Sequence, residues 1–241
     1  MIDLHTKSAR CAGLISLCYG AEDTAPAYQA IDPTPYGYRL RDVILADELG
    51  FKGVPIGILV EDLETEELVA AIRGTRVIAN GPNEWKVDAQ VILDACPFVP
   101  GAKTERGFTS TFQTFRLLNG PAFPTVQLVT GHSLGAAWAL LLAAFWKASL
   151  ISFAGPKVGD RAFADYAVQA IPDLVRWVVD PDGVPKVPFW VWPLFQFLHA
   201  GPANELDPSG VVQSSWEAWH SLDTYWHLID PTHPIRPEFA L

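Results

Sequence analysis

The stretch from Thr125 to Gly155 reads TVQLVTGHSLGAAWALLLAAFWKASLISFAG. It opens with an apolar run, Val126 to Thr130, and turns sharply at Gly131-His132-Ser133-Leu134-Gly135. It continues from Ala136 to Trp146 in strong helix formers, and Leu150 to Phe153 supply a second short apolar run. The order is strand, elbow, helix, strand. A serine on a tight strand-to-helix turn projects its hydroxyl above the sheet, and the turn is too crowded for side chains at its flanks. Gly131 and Gly135 remove that crowding. A helix beginning at Ser133 also aims N–H groups and its positive dipole end at a developing oxyanion. The pentapeptide alone is a weak signal. The apolar strand before it and the apolar helix after it favour a nucleophile elbow over a structural glycine turn.

Downstream, Gly159 to Ala170 reads as a helix ending before Pro172, and Leu174 to Val179 as a strand. Strands separated by helices of this length imply parallel pairing in an open sheet covered on both faces. Ligands in such sheets bind at the carboxyl ends of the strands, where Ser133 would sit. Upstream, Ile56 to Glu61 and Leu68 to Ile72 form a hairpin around Asp62–Glu66, and its second strand ends in Arg73-Gly74-Thr75. A long connection, 76 to 106, follows and contains Pro82, Trp85, Pro97 and Pro100. Its length suggests a cover over the site; the plainer reading is a surface excursion with one or two short strands. Phe108 to Leu118 reads as a helix ending at Asn119-Gly120-Pro121. Near the start, Thr6 to Tyr19 reads as a helix with Leu14, Leu17 and Cys18 on one face, and Ala21 to Tyr38 as an irregular connection. The expectation is one α/β domain over residues 1–241, with a mostly parallel central sheet and helices on both faces.

Composition narrows the partners. The formal charge of −10 repels nucleic acid and anionic membranes, leaving neutral substrates or transient contact with a neutral lipid interface. The three cysteines, Cys11, Cys18 and Cys96, make no disulfide framework. Cys11 and Cys18 lie two helical turns apart and read as small core residues. No CxxC or His/Cys cluster suggests a metal, and no cofactor is expected. The stretch Trp138 to Ala154 is broken by Lys147, and Val187 to Leu198 is short and holds Pro188 and Pro193, so no membrane span is expected. The apolar stretch Ala12 to Tyr19 is short, and no signal peptide is read there. The expected location is the cytoplasm, or outside by a leaderless route.

A nucleophilic serine needs a base, and the base an orienting acid. Asp182 sits just past the strand Leu174 to Val179, with Asp180 as its rival and Asp173 more distant; the bland reading is a turn-forming Asp beside Gly and Pro. Among the histidines, His5 precedes the fold and the His132 ring points away from the serine. His199 reads as a loop hydrogen bond, and His233 lies in the Pro-rich tail. His220 and His227 flank one helix-like segment, Trp216 to Ile229, and residue mechanics do not choose between them.

Several ordered segments, from Ile56 to Tyr225, together resemble the class 3 lipases, the group of filamentous-fungal triacylglycerol lipases and related feruloyl esterases. Ala70-Ala71-Ile72-Arg73-Gly74-Thr75 resembles the family's strand ending in Arg-Gly-Thr/Ser. Trp85-Lys86-Val87-Asp88 resembles the Trp-x-x-Asp of its lid region, and Gly107-Phe108 its Gly-Phe before a helix. Phe153 to Asp160 is similar to Phe-Gly-x-Pro-x-Val-Gly-Asn. Arg176 with Asp182-Gly183-Val184-Pro185 resembles Arg…Asp-x-Val-Pro, and Leu198 to Gly201 resembles His-x-Gly. Glu105 departs from the pattern, standing where many members have a His, and the spacing from His220 to Tyr225 is longer than in the fungal enzymes.

The resemblance implies an α/β-hydrolase fold and a serine ester hydrolase with Ser133 as nucleophile, Asp182 as acid and His220 as base. It makes His199 structural. It places the oxyanion hole at Leu134, through its backbone N–H, and at Thr75, through backbone N–H and hydroxyl. Residues 76–106 become a lid-like segment. Trp85, Phe189, Trp190 and Trp192 become candidates for lid or acyl-chain contact, against plain core packing for the aromatic run. An acylglycerol-type lipid or simple carboxylic ester is the expected substrate; feruloyl esters and phospholipids cleaved by a phospholipase A1 are the alternatives. The alternative of another class is a non-catalytic binding module on the same fold.

Overall fold

A computed structural model of the chain describes residues 3–48, 50–75, 92–187 and 197–241. Helix α1 spans Leu4–Gly20 and α2 spans Ala25–Gln29. Three strands follow: β1 (Tyr38–Glu48), β2 (Phe51–Asp62) and β3 (Leu68–Ile72). After β4 (Leu93–Ala95) and β5 (Lys103–Glu105) come α3 (Arg106–Leu118), β6 (Leu128–His132), α4 (Leu134–Trp146), β7 (Ser149–Phe153), α5 (Arg161–Ala170) and β8 (Leu174–Val179). The last described elements are β9 (Asn204–Leu206), α6 (Trp216–His220) and α7 (Leu222–Ile229).

The main sheet has the order β1-β2-β3-β6-β7-β8-β9. The first two pairings are antiparallel, and the four from β3 to β9 are parallel. This is the mostly parallel sheet that the alternating strands and helices imply, within the α/β-hydrolase fold that the resemblance implies. Its two faces separate by side-chain alternation. Ala70 and Ile72 pack with α3 and α4 side chains such as Phe112 and Ala137, whereas Val69 and Ala71 pack with Leu14, Cys18 and Tyr225 on the other face. Helix α4 has 11 of its 13 residues buried, so it needs no polar face.

Several boundaries differ from the sequence reading. The 11-residue strand β1 follows directly on the irregular Pro-rich stretch, where its broken alternation hid it; its pairing with β2 carries three register irregularities. That stretch itself contains the short helix α2, capped by Thr24. Leu17 is only partly buried, while Leu14 and Cys18 are fully buried. The segment from Trp216 to Ile229 is two helices, not one. Ser221 takes φ −64°, ψ 133° and breaks it, because its hydroxyl accepts from the Asp223 N–H at 3.3 Å and starts a second helix. The three cysteines are buried. Among the described residues, no helix is long and apolar enough to cross a membrane.

Candidate active site

The elbow forms where β6 ends at the carboxyl edge of the sheet. Ser133 takes φ 58°, ψ −128°, a backbone conformation that costs a non-glycine residue of order 1–3 kcal/mol and persists only where its surroundings over-determine it. Its N–H donates to Phe153 O at 3.0 Å, tying the turn to β7. Leu134 opens α4, so its N–H belongs to the helix's unsatisfied first turn.

Two distant segments deliver partners to Ser133. The break at Ser221 leaves His220 as the last residue of α6, and its Nε2 lies 2.8 Å from Ser133 Oγ. The turn after β8 carries Asp182, whose Oδ2 lies 2.9 Å from His220 Nδ1. Asp182 is wholly buried and collects two more donors: Tyr225 O–H at Oδ2, 2.8 Å, and Val184 N–H at Oδ1, 2.9 Å. The Tyr225 oxygen accepts in turn from Val179 N–H at 3.0 Å. Burial, and then the neighbouring Asp182 charge, push the Tyr225 pKa well above its ordinary value and keep it a donor. An acceptor-only Asp182 oxygen fixes the proton on His220 Nδ1. The bare Nε2 is left to accept from Ser133 Oγ–H. Trp216 stacks on the His220 ring, with centroids 5.2 Å apart and planes 15° apart.

The other histidines are engaged elsewhere. His227 Nδ1 donates to His233 O at 2.6 Å, and the His233 ring stacks on Trp226 at 3.7 Å. His199 Nε2 donates to Pro185 O at 2.7 Å, a loop contact as expected of it. Asp180 makes none of these contacts; Asp173 accepts from Ser149 at the far end of β7.

The strand end Arg73-Gly74-Thr75 packs directly on the elbow: a Cβ on Gly74 would lie 2.9 Å from Ser133 Cβ. Thr75 is buried, but its hydroxyl donates to Glu48 Oε1 at 2.9 Å. The hydroxyl donation expected to serve an oxyanion is therefore directed at Glu48. Arg73 is 1% exposed and is held by Glu48, Asp23 and Tyr28. Burial disfavours its charge, and the field of Glu48, with Tyr28 and Asp23, outweighs that and raises its pKa. The sequence reading missed Glu48. The signal was an acidic residue at the tip of a long strand facing a fully buried Arg73, and it takes the pairing of β1 with β2 to reveal it. Glu105, at the family's His position, caps α3 by accepting the Phe108 N–H at 2.9 Å.

Residues 76–91, with Trp85 and most of the lid-like segment, and Phe189, Trp190 and Trp192 lie outside the described residues. The described part of that connection, from Leu93 to Glu105, holds the two-stranded sheet β4-β5. Among the described residues, no group of three or more His, Cys, Asp or Glu is arranged to hold a metal.

Buried His132 and half-buried His199 make stability acid-sensitive. Burial, then Arg176, lowers the His199 pKa to about 3; burial, then the His220 ring, holds His132 well below its usual value. Both stay neutral in the folded chain, while the unfolded chain titrates them near 6.5. As pH falls from about 6.5 towards 3, only the unfolded state takes up these protons. Stability then falls by at most about 1.4 kcal/mol per pH unit for each histidine. His199→Gln retains a donor for Pro185 and should flatten the fall in urea-unfolding stability between pH 6 and 4. An unchanged slope would mean that His199 is not held neutral.

The family model described as Lipase (class 3) matches residues 69–192. Secreted mono- and diacylglycerol lipase 1 of Fusarium solani is 26% identical over 178 residues, 68% of this chain and 51% of that protein. A lipase of Rhizomucor miehei is 33% identical over 147 residues, covering 54% and 39%. This chain thus spans about half the length of the curated relatives it matches. The crystal structure of mono- and diacylglycerol lipase from Aspergillus oryzae superposes with a TM-score of 0.61 at 21% identity, covering 84% of this chain and 80% of that one. With the elbow, the Arg-Gly-Thr strand end and the Asp-x-Val-Pro turn in their matched order, the chain belongs to the class 3 lipase family.

Proposed function

We propose that this protein is a serine ester hydrolase acting on acylglycerol-type esters. One observation carries the reading: a continuous hydrogen-bonded path from Ser133 Oγ through His220 to the buried Asp182. The first half-reaction begins as Ser133 Oγ attacks the ester carbonyl and its proton passes to His220 Nε2. The new C–O bond places a negative charge on the former carbonyl oxygen, for which the N–H groups of Leu134 and Thr75 are the donors. Asp182 holds the tautomer and stabilises the imidazolium. Collapse breaks the ester C–O bond, and His220 gives its proton to the leaving alkoxide. Water then attacks the acyl-enzyme, its proton goes to His220, and the carboxylic acid leaves as Ser133 regains its proton. Every step uses groups of this chain and water.

The substrate class follows the relatives, which are named as lipases and as mono- and diacylglycerol lipases. The apolar aromatic run from Phe189 to Phe195 supports an acyl-binding surface. A p-nitrophenyl ester series from acetate to palmitate tests both levels. Turnover that a serine-reactive phosphonate abolishes, with kcat/KM sustained or rising at medium and long chains, is the expected result. A steep loss beyond butyrate would exclude the acylglycerol substrate and leave a short-chain or feruloyl esterase. No turnover and no phosphonate labelling of folded protein would move the assignment to a binding module.

A further inference from the structure

A second path of hydrogen bonds runs beneath the elbow, and the chemistry above does not use it. The Tyr19 hydroxyl lies 2.8 Å from Gly74 N and 2.9 Å from His132 Nδ1. His132 Nε2 lies 3.0 Å from the backbone oxygen of His220. Its ends fix the direction. A carbonyl oxygen only accepts, so His132 Nε2 carries hydrogen. A neutral imidazole then has a bare Nδ1, which accepts from Tyr19 O–H. The Tyr19 oxygen accepts from Gly74 N–H. Burial and the adjacent His220 ring hold His132 neutral, so the direction does not reverse.

This path joins three pieces that meet only in the folded chain. Gly74 immediately precedes Thr75, His132 immediately precedes Ser133, and the third end is the backbone of His220 itself. Asp182 and Trp216 hold the His220 ring; His132 holds its main chain, at the end of a five-residue helix. Tyr19 is supplied by α1, from outside every motif that carries the family resemblance.

We propose that Tyr19 and His132 are positioning residues for ester hydrolysis, a strut that sets the Thr75 strand end and the His220 base at fixed distances from Ser133. The inference rests on the ester-hydrolase reading. Its physical ground is that charge develops in the transition state both at the oxyanion and on the imidazole, where displacements of a fraction of an ångström matter most. A bound ester in its ground state makes no such demand. The loss on breaking the strut therefore falls on kcat and spares KM.

The test compares wild type, Ser133→Ala, Tyr19→Phe, His132→Gln, His132→Ala and the double variant Tyr19→Phe/His132→Ala on p-nitrophenyl butyrate, with Tm measured for each. Tyr19→Phe removes one oxygen. His132→Gln keeps a donor able to reach the His220 carbonyl and loses the acceptor for Tyr19. Tyr19→Phe is expected to lower kcat by about tenfold to a hundredfold, with KM held within about twofold. His132→Gln should retain more kcat than His132→Ala, and the double variant should be no slower than His132→Ala, since both changes cut one path. An unchanged kcat in Tyr19→Phe, with or without a lower Tm, would overturn the strut and leave ester hydrolysis standing. Should Tyr19→Phe not fold, equal kcat in His132→Gln and His132→Ala would overturn it as well. Wild-type turnover no greater than that of Ser133→Ala would overturn the strut and the hydrolase reading together.

Discussion

Ser133→Ala should lower ester turnover by about 10⁴-fold or more while leaving the fold intact. The hydroxyl is wholly buried between the elbow and His220, and removing it leaves no nucleophile for the base to activate. Alanine is smaller and keeps a Cβ, so the strained turn at φ 58° is neither relieved nor worsened. The companion experiment separates the two histidines that residue mechanics left level. His220→Ala should fall about as far as Ser133→Ala, because parts acting as one unit do not lose activity additively. His227→Ala should stay active, since its ring serves the His233 carbonyl and lies outside the Ser133 contacts. The measurement is kcat/KM on a soluble ester beside the urea midpoint of each variant. Wild-type turnover from folded Ser133→Ala would end the serine mechanism. The reverse ranking of the histidines would reassign the base.

Gly135→Ala should damage the scaffold severely. A Cβ there would lie 2.3 Å from Arg73 O, 2.5 Å from Arg73 C and 2.6 Å from Ile72 O. These are backbone atoms of the strand end that carries Gly74 and Thr75, so no rotamer change relieves the contact. Helix α4 and β3 must part, at a cost of about 3 kcal/mol or more. For a chain of this length that is a fall in Tm of roughly 6–12 °C. Whatever remains folded should lose kcat as well, because the parting moves Thr75 away from Ser133. Gly131→Ala should behave similarly, its Cβ meeting Gly135 O at 2.4 Å. The control is Gly20→Ala at the end of α1, where nothing lies within 4 Å. That change should be neutral or stabilising by up to about 1 kcal/mol. Equal urea midpoints for Gly135→Ala and Gly20→Ala would show that the elbow and β3 do not touch as described.

Much of the frame could be read along the chain because its signals are local. The apolar run, the glycine-flanked serine and the Ala/Leu-rich helix after it are contiguous, and their periodicity is a property of residues a few positions apart. The same holds for the hairpin around Asp62–Glu66 and for the strand Leu174–Val179. Where the pattern was irregular, the reading failed. β1 is interrupted by register shifts and follows a Pro-rich stretch, so its alternation was hidden until β2 paired with it. The Trp216–Ile229 segment has helical periodicity throughout, and only the Ser221 side chain competing for the backbone breaks it.

The sequence by itself determined the elbow, the order of the strands and helices from β6 to β8, and the residue types available for an acid and a base. Residue mechanics left Asp180 as a rival to Asp182 and His220 level with His227, because hydrogen-bond reach is a distance in space and neighbours in sequence share their local signals; the family resemblance singled out Asp182 and His220. Tertiary structure alone brought His220 within 2.8 Å of Ser133 and Tyr225 onto Asp182, turned the Thr75 hydroxyl to Glu48, and set Tyr19 between Gly74 and His132. Each of these contacts joins segments between 27 and 113 residues apart. The physical reason is the same throughout. Local propensity fixes what a segment becomes, whereas packing against the rest of the chain fixes which polar atoms are left facing one another.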